Sequence, residues 1–321
     1  MILSRHEDGL RMVHQTEHGR VAGVLAAAWG NSEVEPPRPG PSVVTAAARH
    51  DEGWRAWDAR VLFDEVARRP LHFLDIEAEE HIRLYRQGVT RASAADVYSG
   101  VLVGMHWTGL YRSRWNAPGG AARVGRGDPG ARAAQDRVVR AEQRRWADAT
   151  ELAWTRDETR AAFETRLWHN YELLQLWDLL SLYLSVTPSR PGRGKPVLWG
   201  PQLRDLDQAA RPVLLPAVGG WPGGPRFTPT ARVTSPGLVA IDPFPFGGPV
   251  DVEVEHVVIP DREWSRAAAV RQVRRTLATS TRWRLVAEDA EDLEDAKDAR
   301  SARAGAAESG REDHSDDPAA R

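Results

Sequence analysis

Residues 157–186 constrain the fold of this chain more than any other segment. Leucines and tryptophans cover nearly every face of a helix drawn through them, and a helix that is apolar all round has no side to give to water. The segment is therefore expected to be a buried central helix around which the rest is wrapped. It also carries Asp178, next to Trp177 and one helical turn past Leu174. An ionised carboxylate on such a helix is costly unless a cation or strong hydrogen bonds compensate it.

Other helices follow from apolar residues at helical spacing. Residues 13–29 place Val21, Ala22, Leu25 and Trp29 on one stripe, and Gly30 stops the run before a proline-rich loop. Ser42 is placed to cap a second helix with the stripe Val43, Ala46, Ala47 and His50. Further helices are expected near 77–87, 93–114 and 261–277. Residues 116–130, rich in Gly, Pro and Ala, read as a mobile loop.

The pattern changes at Thr187, where a Pro- and Gly-rich linker leads into short Val-rich runs. In residues 250–258, Val250, Val252 and Val254 alternate with Asp251, Glu253 and Glu255, which predicts a half-buried strand. The fold class expected is mainly α. A helical core spans 1–186, a small strand-containing C-terminal lobe spans 195–287, and residues 288–321 form a disordered acidic tail.

The chain contains no cysteine, which excludes disulfides, thiolate zinc sites and a cysteine nucleophile. A bound metal would have to sit on His, Asp and Glu, which suits zinc, iron, manganese or magnesium. No apolar run has the length of a signal segment or a membrane span, so the expected location is the cytoplasm, with no membrane partner. The net charge of −2 combines an acidic tail (twelve acids against five bases from Glu288 on) with a body of net +5. A mildly positive body suits a small anionic molecule and falls short of a nucleic-acid footprint. The sequence does not set the oligomeric state.

Several helices carry a His or Asp on the stripe that should face the core: His18, three residues before Val21; His50, at the end of its stripe; His106, beside Leu102 and Leu110; and Asp178. A single buried His is usually a hydrogen-bonded core residue. Converging His and Asp residues can instead compensate one another through a metal ion. His50 and the adjacent Asp51 diverge by about 100° on a helix, so both can reach one ion only at a helix end.

The segments Glu17-His18-Gly19-Arg20, His50-Asp51-Glu52-Gly53 and Leu176-Trp177-Asp178-Leu179 resemble the HD superfamily of metal-dependent phosphohydrolases. More narrowly, His50-Asp51-Glu52-Gly53-Trp54, Gln175-Leu176-Trp177-Asp178 and Pro243-Phe244-Pro245-Phe246 resemble an uncharacterised bacterial family, domain of unknown function 3891. The first resemblance implies an HD-domain-like helical bundle binding one or two divalent ions (Fe, Mn, Zn or Mg). His18, His50 and Asp178 would hold one ion, His81 and His106 a second, and Asp51 would bridge them. It implies a metal-dependent hydrolase acting on a phosphorylated small molecule or nucleotide, with a di-iron oxygenase of the inositol oxygenase type and a non-catalytic metal-binding or sensor protein as alternatives. Asp51, Asp58 and Arg55 are the candidate catalytic residues: Asp58 as a carboxylate orienting a ligand, Arg55 as a cation for phosphate.

Overall fold

A computed structural model of the chain describes residues 1–113, 129–190, 195–198 and 211–289. Most of the expected mobile loop and nearly all of the acidic tail lie outside the described residues. The chain begins with a hairpin, β1 (Ile2–His6) and β2 (Gly9–Val13), followed by α1 (Gln15–Ala28) and α2 (Gly40–Arg49). A 3-10 turn (Glu52–Trp54) runs into α3 (Arg55–Asp58), and a short ribbon, β3 (Phe63–Asp64) and β4 (Arg69–Pro70), leads to α4 (Ala78–Ala95) and α5 (Val97–Leu110). After α6 (Pro129–Ala153) and α7 (Arg160–Val186) come β5 (Val197–Leu198), β6 (Val213–Leu214), β7 (Val218–Gly219) and β8 (Arg226–Phe227). The described chain ends with β9 (Thr230–Ser235), β10 (Leu238–Asp242), β11 (Val250–Ile259), α8 (Arg266–Arg275) and β12 (Thr279–Ala287).

The apolar run of residues 157–186 becomes α7, started by Thr159, whose hydroxyl accepts from Ala162 N at 3.2 Å. Its second half is buried from Leu173 to Val186, with α1, α2 and α5 packed on it. α5 is started in the same way by Asp96, which accepts from Ser99 N at 2.6 Å.

The expectation of a mainly α, HD-domain-like bundle with a small C-terminal strand lobe is overturned by an eight-stranded sheet in the order β1-β2-β11-β12-β10-β9-β6-β5. Its first two strands come from the first thirteen residues of the chain, which pair through Met12↔Val257 and Arg11↔Val258 with β11. The physical reason is that the hairpin is buried on both faces. Ile2 and Val13 join the main core with α7, while Leu3, Leu10 and Met12 join a second cluster with Ile259 and Trp264. A strand buried on both faces loses the alternation that reveals it. The local signal was the turn-forming pair Asp8-Gly9; the connection itself is Glu7-Asp8, since Gly9 already pairs with His6. Gly9 sits at φ +137°, and a Cβ there would lie 2.4 Å from Ile259 O.

β11 follows its predicted alternation, buried at Val250, Val252 and Val254 and exposed between them. The Pro243–Phe246 turn docks on the end of α1. Gly30 N donates to Pro245 O at 3.0 Å, and the Trp29 ring packs edge-on against both Phe246 and Trp177 at 5.6 Å. Among the described residues no helix is long and apolar enough to cross a membrane.

Candidate metal centre

α1 and α2 are in close contact because α1 presents Gly19 and Gly23 to Ala48. A Cβ at Gly23 would fall 2.6 Å from Ala48 Cβ, and one at Gly19 would fall 3.0 Å from Ala48 O. That contact brings His18, on α1, beside His50 and Asp51 at the end of α2, with ring centroids of the two histidines 4.9 Å apart, edge to face. His50 is the C-cap of α2 and Asp51 follows it outside the helix. The neighbours can therefore face one point, as the helix-end argument requires.

His18, His50 and Asp51 are all buried, and each offers a ligand atom within 4.8 Å of the others. This group can hold a metal ion. Both imidazoles are oriented from behind. His18 Nδ1 lies 3.0 Å from Ser181 Oγ, whose own hydroxyl donates to Asp178 O at 2.8 Å, so the imidazole donates and Nε2 faces inward. His50 Nδ1 donates to Ala47 O at 2.8 Å and likewise turns Nε2 inward. A ligating His held through its second nitrogen by a hydroxyl or carbonyl is the usual support of a metal site.

The inward atoms meet two carboxylates. His18 Nε2 is 2.8 Å from Asp51 Oδ2. His50 Nε2 is 3.4 Å from Asp178 Oδ1 and 3.8 Å from Asp51 Oδ2, yet makes no hydrogen bond of good alignment to either. Tyr85 donates to the other Asp51 oxygen at 2.7 Å. Burial alone would lower the His50 pKa, but the charges of Asp51 and Asp178 outweigh it and push it up to about 9. Burial would raise Asp51, but His50 and His18 hold it well below the usual carboxylate range. Burial and the Asp51 charge push the Tyr85 hydroxyl well above its ordinary value, so it stays a donor.

The remaining candidates are arranged differently. His106 packs edge-on against His50 at 4.7 Å, but its Nδ1 lies 3.2 Å from Gln175 Nε2. The amide donates there, which leaves the His106 proton on Nε2, the state of a donor rather than a ligand. His81 Nδ1 bonds Tyr111 OH at 2.8 Å, and its ring packs at 4.7 Å on Tyr85, which in turn donates to Asp51. Asp58 is buried away from the group, accepting from Gln15 N at 2.6 Å at the start of α1 and pairing with the Met1 amino group at 3.0 Å. Arg55 is exposed and paired with Glu52 at 2.7 Å. Trp54 and Trp107 wall Tyr85 on two sides.

Sequence reasoning missed Ser181, Gln175 and Tyr85. The signal was present: between Leu173 and Val186, Gln175, Asp178, Ser181 and Ser185 recur at spacings of three and four, a polar stripe on an otherwise apolar helix. Tyr85 stands one turn after His81 on α4.

A family model described as a protein of unknown function (DUF3891) matches residues 1–261. No curated protein and no solved structure matches the chain.

Proposed function

The chain belongs to the DUF3891 family, and we propose, from its own geometry, that it is a metal-dependent hydrolase acting on a phosphorylated small molecule or nucleotide. The reading rests on one observation: two buried imidazoles with outward nitrogens committed to Ser181 and Ala47 direct their Nε2 atoms at Asp51 and Asp178. Charge balance supports a divalent ion. Two neutral imidazoles and two carboxylates make a net charge of about −2, which a divalent cation cancels and a single proton on His50 does not. His18, His50, Asp51 and Asp178 are the proposed ligands, in the chain order that resembles the HD superfamily.

Such an ion, when bound, lowers the pKa of a coordinated water toward about 7. The chain's own residues supply the rest. Ser181 and Ala47 fix the ring orientations, the Tyr85 hydroxyl holds one Asp51 oxygen, and Trp54 and Trp107 keep the Tyr85 ring in place. A single ion is favoured because His81 and His106 are engaged with Tyr111 and Gln175. This argues against the di-iron oxygenase.

The test is elemental analysis of the purified full chain with assay against p-nitrophenyl phosphate and a set of nucleoside phosphates. About one equivalent of zinc, manganese or magnesium, lost in both His50→Gln and Asp178→Asn together with hydrolysis, is expected. Unchanged metal content in both variants would overturn the centre. Metal without hydrolysis of any phosphate would leave a metal-binding protein and overturn the hydrolase.

A further inference from the structure

Away from the metal centre, the first half of α7 and the β7–β8 hairpin enclose a cleft of about 620 Å3. None of its lining residues belongs to the centre. Among the described residues, only two aromatic side chains are exposed, Trp168 at 39% and Trp221 at 42%, and both line this cleft. Its lining also includes His169, which is only 5% exposed and so lies at the floor; its Nε2 makes no hydrogen bond. A buried polar nitrogen without a partner is a stability cost that a ligand group can relieve.

The walls are held in place. Arg226 Nη1 donates to both oxygens of Glu172, at 2.9 and 2.8 Å, and Nη2 donates to Ala217 O at 2.5 Å. The Trp221 indole lies against Gly224, where a Cβ would come within 2.6 Å of the ring. The hairpin sequence Gly219-Gly220-Trp221-Pro222-Gly223-Gly224 therefore leaves room for an indole lying over its own backbone. The Trp168 ring is braced edge-on by Tyr171 at 5.7 Å.

The lining chemistry selects a class of ligand. Its charged residues are Glu164, Glu172 and Arg226, with Arg226 already paired, so the cleft has no spare cation for a phosphate. Burial, with Arg226 adding to it, holds His169 at a pKa of about 4, so the ring is neutral at pH 7. A purely apolar ligand would leave the floor nitrogen unpaired and would strip water from the Glu164–Arg160 and Glu172–Arg226 pairs without replacing it. A hydroxylated ring meets all of these demands: its C–H face packs on an indole, and its hydroxyls bond carboxylate, guanidinium and imidazole. The geometry points to this cleft as a binding site for a neutral carbohydrate, stacked on Trp221 and hydrogen-bonded by Glu172, Arg226 and His169. The assignment is independent of the metal centre.

The test is calorimetric titration of the full chain with maltohexaose, cellohexaose, xylohexaose and chitohexaose, with adenosine as the planar aromatic contrast. Saturable binding of at least one oligosaccharide is expected. It should weaken at least tenfold in Trp221→Ala and in His169→Phe, while metal content and melting temperature stay at the wild-type values in Trp221→Ala. Gly224→Ala, which displaces the indole without removing it, should weaken binding to an intermediate degree. Absence of saturable binding to all four sugars overturns the assignment. So does sugar binding that Trp221→Ala leaves unchanged, or binding of adenosine alone.

Discussion

His18 Nδ1 donates to Ser181 Oγ at 3.0 Å across 163 residues of sequence, and this bond turns His18 Nε2 to within 2.8 Å of Asp51. The hydroxyl's own proton goes to Asp178 O, so Ser181 accepts from the imidazole rather than competing with it. Ser181→Ala removes that acceptor inside a fully buried site. The expected result is a metal affinity reduced about 10- to 100-fold, the range for loss of a residue supporting a ligand. Chelator competition would measure it. Leaving His18 Nδ1 unpaired should lower stability by about 1–3 kcal/mol. Wild-type affinity in Ser181→Ala would show that His18 is not a ligand.

Gly23 tests whether the centre depends on the spacing of α1 and α2. In an exposed helix Gly→Ala would stabilise by about 1 kcal/mol. Here the new Cβ would fall 2.6 Å from Ala48 Cβ, so overpacking of about 1–3 kcal/mol should win. Gly23→Ala is expected to melt lower and to bind metal more weakly, because the helices must part where His18 faces His50. An increase in melting temperature would mean the two helices yield without strain.

Much of this centre was legible because the residue types were incompatible with the bland alternative. Asp178 on an apolar helix, and a His-Asp pair at a helix end, demanded compensation from somewhere. The supporting residues were harder to read, since Ser181 and Gln175 are ordinary in isolation and acquire meaning only as a stripe with Asp178. The sheet was misjudged for a different reason. Periodicity reports a strand only when one face is wet, as in β11, whereas β1 and β2 are covered on both faces by clusters drawn from distant parts of the chain. The pairing of residues 2–13 with residues 257–259 is non-local, and no local pattern encodes it.

Tyr85 donates to Asp51 Oδ1 at 2.7 Å from a buried position. Tyr85→Phe removes one hydroxyl and little volume, so the ring contacts with Trp54, His81 and Trp107 should survive. Loss of a hydrogen bond to a charged carboxylate should destabilise by about 1.5–3 kcal/mol. It also takes away a donor that favours the ionised form of Asp51. The acid-side midpoint for metal release should therefore move to higher pH than in the wild type. A midpoint that does not move would mean that Tyr85 packs beside Asp51 without tuning it.

The pH dependence of chelator-treated protein follows from histidines acting in opposite directions, with His256 lowered by burial in the same sense as His6 and His169. His50 has a folded pKa of about 9, above its ordinary 6.5. The folded state therefore holds its proton more tightly, and the stability gained is complete below pH 6.5 and is lost as pH rises through 9. His6 and His169 are both pushed down to about 4, mainly by burial. Between about pH 4 and 6.5 the unfolded state binds more protons at these two positions, so their contribution falls as pH drops. Stability should thus peak near pH 6.5 and decline on both sides, by at most about 1.4 kcal/mol per pH unit for each histidine. Urea denaturation from pH 4.5 to 9.5 measures the profile, and His50→Gln should flatten only its alkaline limb. An alkaline limb that persists in that variant would locate the proton on some other group.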